Sequence, residues 1–240
     1  MYLSVFEKEM KILPSVCDGT GRLSIPDTFA LFMDMATEHA DALGIGLKDL
    51  AKDDLFWLTV KTKVRFLKRP KMGDTVLVST WPEAPQLLRC NRDYAVSADG
   101  ETILTGKTEW AVMNMKTGKL YGTKEIYPPE LVLDDRRVMP EPFARIRNTG
   151  EEQTAGIYTV RSTDIDIGGH MNNAAYVRAF AGLLDSAQWK GMTFSDLEVH
   201  FCSQCFEGDT MTFRRSETEN GHLYQAYLPD GRVAVQILIS

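Results

Sequence analysis

Apolar and polar residues alternate with a period of two over residues 58–66 (LTVKTKVRF) and again over 197–201 (LEVHF), the signature of strands with one buried face. Each run ends on an aromatic, Phe66 or Phe201, that stands seven residues before a Gly-Asp-Thr triplet, Gly73-Asp74-Thr75 or Gly208-Asp209-Thr210. Further strands follow at 76–81 and 211–216, so each Gly-Asp reads as a hairpin turn. Upstream of each strand pair lies a helix. In the first half Ser24 or Asp27 caps a run with Phe29, Phe32, Met33, Ala36, Ala40 and Leu43 at helical spacing, closed by Gly44. In the second, Asn172 or Asn173 caps a helix over 174–189 with Tyr176, Phe180, Leu183, Leu184 and Ala187 on one stripe. Downstream, strands are expected at 89–97, 102–107 and 109–115, and at 223–228 and 232–239, with turns at Asp99-Gly100 and Asp230-Gly231.

Strand, helix and antiparallel meander thus occur twice. A long helix wrapped by an antiparallel sheet is the hot-dog architecture, so the pattern predicts an α+β tandem double hot dog. Residues 127–150, with Pro128, Pro129, Pro140 and Pro142 among scattered charges, read as a linker between domains at 1–126 and 151–240.

Composition narrows the function. The 240 residues are 44% hydrophobic and 25% charged, an ordinary globular balance, and a net charge of -6 argues against general nucleic-acid binding. No apolar stretch reaches the length of about 18 residues that a membrane span needs. Glu7, Lys8, Glu9 and Lys11 break residues 1–12, so no signal peptide is expected and the cytoplasm is the expected location. Four scattered cysteines fit reduced thiols. Cys202-Ser-Gln-Cys205 has metal-pair spacing, but it lacks a second pair, and on a strand its two thiols would point to opposite faces. No phosphate-cradling loop, serine-hydrolase elbow or metal cluster is present, and no cofactor is implied.

The densest polar cluster is Ser162-Thr-Asp164-Ile-Asp166-Ile-Gly168-Gly169-His170-Met-Asn172-Asn173, which joins a strand to a helix start. Taken singly, these are ordinary cap and turn residues. Together, Asp166 and His170 supply a carboxylate and an imidazole able to orient or deprotonate a water. Gly168 and Gly169 let a ligand approach backbone N–H groups at the positive end of a helix, as acyl transfer requires.

On these residues the chain resembles the acyl-acyl carrier protein thioesterases, double hot-dog enzymes that end fatty-acid synthesis in plants and have bacterial relatives. The resemblance also covers Phe56-Trp57, Gly73-Asp74-Thr75-Val76 with Trp81, and Trp110-Ala-Val-Met-Asn114. The family motif Asp-x-Asn-x-His-x-Asn-Asn places its catalytic Asp on Asp166 and its His on His170. Its Asn falls on Gly168; its Glu on the later strand falls on Gln204, next to Cys205. Two positions therefore depart from the pattern. Gly168 has no side chain to polarise a thioester, and Gln204 can orient a water but not deprotonate it.

The resemblance implies hydrolysis of fatty acyl-acyl carrier protein to free fatty acid, with Asp166 as base or nucleophile and His170 positioning the thioester or protonating the thiolate. Gln204 would hold the water, and backbone N–H groups near Gly169 and His170 would take the oxyanion. Cys205 is a second candidate nucleophile, without an adjacent cation to lower its pKa. Asn172, Asn173, Trp57, Phe32 and Met33 are expected to meet substrate, with Phe29 and Met35 as further chamber candidates under an insert at 44–55. The implied partner, acyl carrier protein presenting the acyl group on phosphopantetheine, is acidic. A matching basic face, Lys61, Lys63, Arg65, Lys68, Arg69 and Lys71, carries no acid; it reads equally as a solvated strand face. An acyl-coenzyme A thioesterase and a catalytically impaired acyl-binding protein are the alternatives. A monomer or a homodimer fits the tandem repeat.

Overall fold

The computed structural model describes residues 4–147, 150–191, 195–219 and 221–240. Residues 1–3 of the expected first domain, Asn148 and Thr149 of the expected linker, and residues 192–194 and 220 of the expected second domain lie outside the described residues. The chain divides into two units, Met1–Leu23 with Leu31–Pro142, and Ser24–Ala30 with Phe143–Ser240.

The first unit contains β1 (Phe6–Lys11), most of α1 (Ile25–Ala42), α2 (Leu47–Leu50), β2 (Leu55–Phe66), β3 (Thr75–Pro82), β4 (Cys90–Ala98), β5 (Glu101–Asn114) and β6 (Leu120–Tyr121). Its strands are antiparallel in the order β1-β3-β4-β5-β2, with β6 on β5. The second unit holds β7 (Gln153–Thr159), α3 (Asn173–Ala181), α4 (Ser186–Gly191), β8 (Asp196–Phe201), β9 (Thr210–Thr218), β10 (Gly221–Tyr227) and β11 (Val233–Ile239). Its order is β8-β11-β10-β9-β7.

Three expectations change. The Gly-Asp turns are not hairpins, because β2 pairs with β5 and β3 with β1 and β4, while β8 pairs with β11 and β9 with β10 and β7. Each turn instead clasps the residue that follows the first strand of its own repeat or lies just beyond it. Gly73 N–H donates to Ile12 O at 2.8 Å and Ile12 N–H to Asp74 O at 2.8 Å. Likewise Gly208 N–H donates to Val160 O at 3.0 Å and Val160 N–H to Asp209 O at 2.8 Å. Asp74 and Asp209 close the turns by accepting from the N–H groups of Lys71 and Phe206, and Gly73 and Gly208 sit at φ +94° and +89°, where glycine has no Cβ penalty.

The strands expected at 102–107 and 109–115 are one, β5, since Thr108 is buried in mid-strand and bonded to the Tyr94 hydroxyl and Trp110 indole rather than marking a turn. The helix expected at 174–189 breaks between Ala181 and Ser186. Asp185 accepts from the N–H groups of Ala187 and Gln188 and so starts a new turn. The Asp99-Gly100 hairpin is as expected, with both residues at positive φ.

In the first unit α1 packs through Phe32, which is fully buried and stacks on Tyr94 of β4 with ring centroids 4.2 Å apart. The ring lies over Gly106 of β5, where a Cβ would stand 2.0 Å from Phe32 Cε2. In the second unit α3 packs through Phe180, edge-on to Tyr224 of β10 at 4.8 Å.

The other face of the first sheet carries a row, Trp81, Asp93, Lys107 and Lys63, in successive cross-strand register. A segment of irregular backbone at 134–142 crosses it. Lys107 Nζ donates to Met139 O at 3.0 Å, Trp81 Nε1 to Arg136 O at 3.0 Å, and Arg65 pairs with Glu141 at 2.6 Å. Glu83 sits between Lys107 and Arg137, 3.5 and 3.4 Å away. Burial, with Glu83 as a like charge, pushes the fully buried Asp93 carboxyl up to about 7, and Lys107 and Arg137 offset this only in part.

Two predictions follow from these contacts. The folded state retains the Asp93 proton between its ordinary value of 3.8 and about 7, so the Asp93 contribution to stability is lost as pH rises through that window. Asp93→Asn should therefore gain thermal stability relative to the parent as pH is raised across it, and parallel curves would refute the assignment. Gly106→Ala should cost about 1–3 kcal/mol in denaturant unfolding, because Phe32 is enclosed and must move.

Candidate active site

The strand-to-helix junction of the second unit is built from backbone outward. A single 3₁₀ turn, Ser162–Asp164, follows β7, and buried Asp164 accepts from Arg161 N–H and the Tyr158 hydroxyl, each at 2.8 Å. Asp164 is thus a bracket for the loop. Ile165 and Met171 form an isolated antiparallel bridge that narrows it. Across the neck, Asp166 N–H donates to His170 O and Gly169 N–H to Asp166 O, both at 3.0 Å, with Gly169 in the left-handed region at φ +77°. Asn172 then caps α3 by accepting from Ala174 N–H at 2.8 Å, and Asn173 is its first residue.

This turn brings Asp166 and His170 together, with His170 Nδ1 3.9 Å from Asp166 Oδ1 and both side chains part-exposed, at 19% and 29% for His170 and Asp166. Gly168 N–H donates to Asp166 Oδ1 at 2.8 Å. A Cβ on Gly168 would lie 2.9 Å from His170 Nε2 and 3.0 Å from Asp166 Oδ1, so the missing side chain is what admits both groups. The N–H of Gly169 already serves the turn, which removes it from the oxyanion role expected for it.

Strand β8 ends at Phe201, and the segment carrying the later candidates leaves the sheet. Gln204 is exposed; Cys205 is fully buried, its thiol donates to Met211 Sδ at 3.7 Å, and burial raises its pKa. That environment favours a packed thiol over a nucleophile. Cys202 is exposed, and no group of metal-binding side chains occurs among the described residues. Three hydrogen bonds tie this segment to the loop and helix: Met171 N–H donates to Cys205 O at 2.8 Å, and the buried Tyr176 hydroxyl donates to Ser203 O at 3.1 Å while accepting from Cys205 N–H at 3.0 Å. Tyr176 was readable only as a core position on its helical stripe.

The first repeat contains the same turn. Asp18 N–H donates to Arg22 O, Gly21 N–H to Asp18 O and Thr20 N–H to Asp18 Oδ1, at 2.9, 2.9 and 2.8 Å, with Gly21 at φ +69°. Cys17 and Leu23 form the matching bridge, and Leu23 N–H donates to Pro70 O at 2.9 Å as Met171 does to Cys205. Asp18, Thr20 and Arg22 thus stand where the second repeat has Asp166, Gly168 and His170. Arg69, four residues before Gly73 as Gln204 is before Gly208, pairs with Asp18 and donates to Leu23 O. Against the opposing effect of burial, the Thr20 and Arg69 hydrogen bonds hold the Asp18 carboxyl below its ordinary range. The spacing Asp-x2-Gly before a capped helix start was the available sequence signal.

The basic face is largely engaged within its own unit. Lys61 lies 3.4 Å from Glu109, Arg65 is held by Glu141 and Arg69 by Asp18, Lys63 lies in the row crossed by 134–142, and Lys68 is exposed. Beside the loop in the second unit, Arg161 is exposed over the Tyr158 ring at 5.9 Å, and Arg178 on α3 is 57% exposed. Of the chamber candidates, Phe29, Phe32 and Met35 are core; Met33 accepts from the Thr59 hydroxyl and Trp57 Nε1 donates to Ile45 O. The insert borders a cavity of about 350 Å³ lined by Ile45, Leu50 and Ile126 with Asp49, Asp53 and Glu125.

Known proteins resemble both halves. The acyl-ACP thioesterase N-terminal domain model matches residues 3–128, and the acyl-ACP thioesterase C-terminal domain model residues 147–239. A chloroplastic acyl-[acyl-carrier-protein] hydrolase of Cuphea viscosissima is 27% identical over 200 residues, 76% of this chain and 47% of that protein. A chloroplastic palmitoyl-acyl carrier protein thioesterase of Cuphea hookeriana is 30% identical over 191 residues, 72% of this chain and 45% of the relative. The chain thus spans about half the length of these curated relatives. A crystal structure of an acyl-ACP thioesterase from Bacteroides thetaiotaomicron aligns with a TM-score of 0.88 at 23% identity, covering 98% of this chain and 97% of that one, so the double hot-dog fold is shared.

Gly168→Ala should displace the His170 imidazole, because its Cβ would fall inside contact distance of Nε2. In proton NMR the ring resonances of His170 should shift while the thermal midpoint is retained; unchanged resonances would refute the crowding.

Proposed function

The chain belongs to the acyl-ACP thioesterase family, and from that premise we propose that it hydrolyses the thioester of a fatty acyl-acyl carrier protein, releasing the free fatty acid. The observation that carries this reading is the part-exposed Asp166 and His170 pair, 3.9 Å apart on a turn braced at both ends. Asp166 takes a proton from water as the oxygen adds to the thioester carbonyl, or adds to it directly and forms an acyl anhydride that water then cleaves to the free acid and the restored carboxylate; the turn geometry is compatible with both. Collapse of the tetrahedral species breaks the C–S bond, and His170 delivers the proton to the leaving thiolate. Helix α3 begins three residues after His170, so its positive end favours the negative charge that develops on the carbonyl oxygen.

The carrier protein is acidic, and Arg161 and Arg178 lie exposed in the same unit as the reacting pair. Arg178 lies 3.9 Å from Asp27 but keeps 57% of its side chain exposed, against 28%, 34% and 20% for Lys61, Arg65 and Arg69, which are matched by Glu109, Glu141 and Asp18.

Thiol release from acyl-carrier-protein thioesters should fall by on the order of 10²–10⁴ in His170→Ala and in Asp166→Ala. Equal release by parent and variants, with acyl groups still bound, would favour an acyl-binding protein instead. The pair Arg161→Glu and Arg178→Glu should raise KM for carrier-protein substrates and leave acyl-coenzyme A turnover unchanged. An equal effect on both substrates would sink the docking assignment.

A further inference from the structure

The two repeats solve one positional problem differently. Position 69 of the first repeat and position 204 of the second both lie four residues before a Gly-Asp turn, on a segment that accepts an N–H from the residue preceding the helix cap. In the first repeat the side chain at this position reaches the carboxylate of the turn: Arg69 pairs with Asp18 and also donates to Leu23 O, so side-chain contacts fix the segment. Thr28, four residues after the cap residue Ser24, turns its hydroxyl back onto Ser24 O at 2.9 Å.

In the second repeat the corresponding residue is Gln204, which carries no charge to form such a pair with Asp166, the carboxylate at the matching turn position. Four residues after the cap residue Asn172 stands Tyr176, not a threonine. Its hydroxyl spans the backbone on both sides of Gln204, donating to Ser203 O and accepting from Cys205 N–H. Its ring is packed edge-on against Phe201 at 5.9 Å, and the residue is 3% exposed, so the hydroxyl has little freedom to leave. The bond from Met171 N–H to Cys205 O then joins this segment directly to the residue after His170.

We infer that Tyr176 is a positioning residue: it fixes the backbone around Gln204 so that the Gln204 side chain addresses Asp166, as Arg69 addresses Asp18, without the ion pair that would occupy the carboxylate. The inference rests on the thioesterase reading and adds to it a residue that touches no substrate. Its logic is that a catalytic carboxylate needs a neutral neighbour, and a neutral neighbour needs its support from elsewhere.

The test is a double-mutant cycle on thiol release with Tyr176→Phe, Gln204→Ala and both together, beside parent and His170→Ala. Phenylalanine keeps the ring contact and removes both hydrogen bonds. Tyr176→Phe should lower kcat on the order of tenfold to a hundredfold with KM little changed. In the Gln204→Ala background it should have almost no further effect, because the two act as one unit. Full additivity, or parental kcat in Tyr176→Phe, would overturn the inference. Amide exchange at Cys205, which does not depend on turnover, should quicken in Tyr176→Phe; unchanged protection would also overturn it. Gln204→Arg is the second variant and does not depend on Tyr176→Phe folding. It should pair with Asp166 and abolish release at an unchanged thermal midpoint, and retained release would show that position 204 does not reach the carboxylate. Parent release no greater than that of His170→Ala would remove the thioesterase reading itself, and this inference with it, a result distinct from an active parent matched by Tyr176→Phe.

Discussion

A pair of backbone hydrogen bonds in each repeat holds the rest of the architecture in register. Where the chain turns at Gly-Asp it exchanges an N–H and a carbonyl with a residue beyond the first strand of its repeat, Ile12 in one case and Val160 in the other. These residues are far apart in sequence, so the clasp closes a long loop and fixes which strands can be neighbours. With the turn anchored there, β3 and β9 are delivered beside β1 and β7 and cannot fold back on β2 and β8. In the second repeat the segment just before the turn is thereby tied to the start of α3 through Met171 and Tyr176.

Much of this was legible in the chain before any coordinates. The period-two runs and the capped apolar stripes gave the right elements, because each depends on neighbours a few residues away. Pairing partners were misread because Gly-Asp is locally indistinguishable in a hairpin and in a clasp; only the distant partner, Ile12 or Val160, tells them apart. The helix break after Ala181 was hidden for a similar reason. Leu183 and Leu184 keep the apolar spacing going, while Asp185 draws in the N–H groups that begin the next turn. At the site, Asp166 and His170 were visible as chemistry-bearing types at a spacing of four. The support for Gln204 was not, because a tyrosine on a buried stripe looks like any other core residue until its hydroxyl is located.

The two turns share what gives the loop its shape and differ in what surrounds the carboxylate. The neck bonds, the left-handed glycine and the bridge are common to both copies, and so belong to the fold. What differs is charge. The first copy surrounds its carboxylate with Arg69 and Thr20, which hold it ionised and occupied. The second leaves its carboxylate with a backbone N–H and an imidazole for neighbours. An unchanged scaffold can thus carry either an ion pair that occupies its carboxylate or a part-exposed carboxylate and imidazole, decided by a few side chains.

The segment at 134–142 would be taken for a tether from its prolines and lack of regular structure. Its carbonyls at Arg136 and Met139 are nonetheless claimed by Trp81 and Lys107, and its Glu141 by Arg65. A protease must draw several extended residues into its cleft before it can cut, and here those residues would first have to surrender an indole, an ammonium and a guanidinium. Cleavage within 134–142 is accordingly expected to be slower than its irregular backbone suggests, and to quicken when Lys107 or Arg65 is removed.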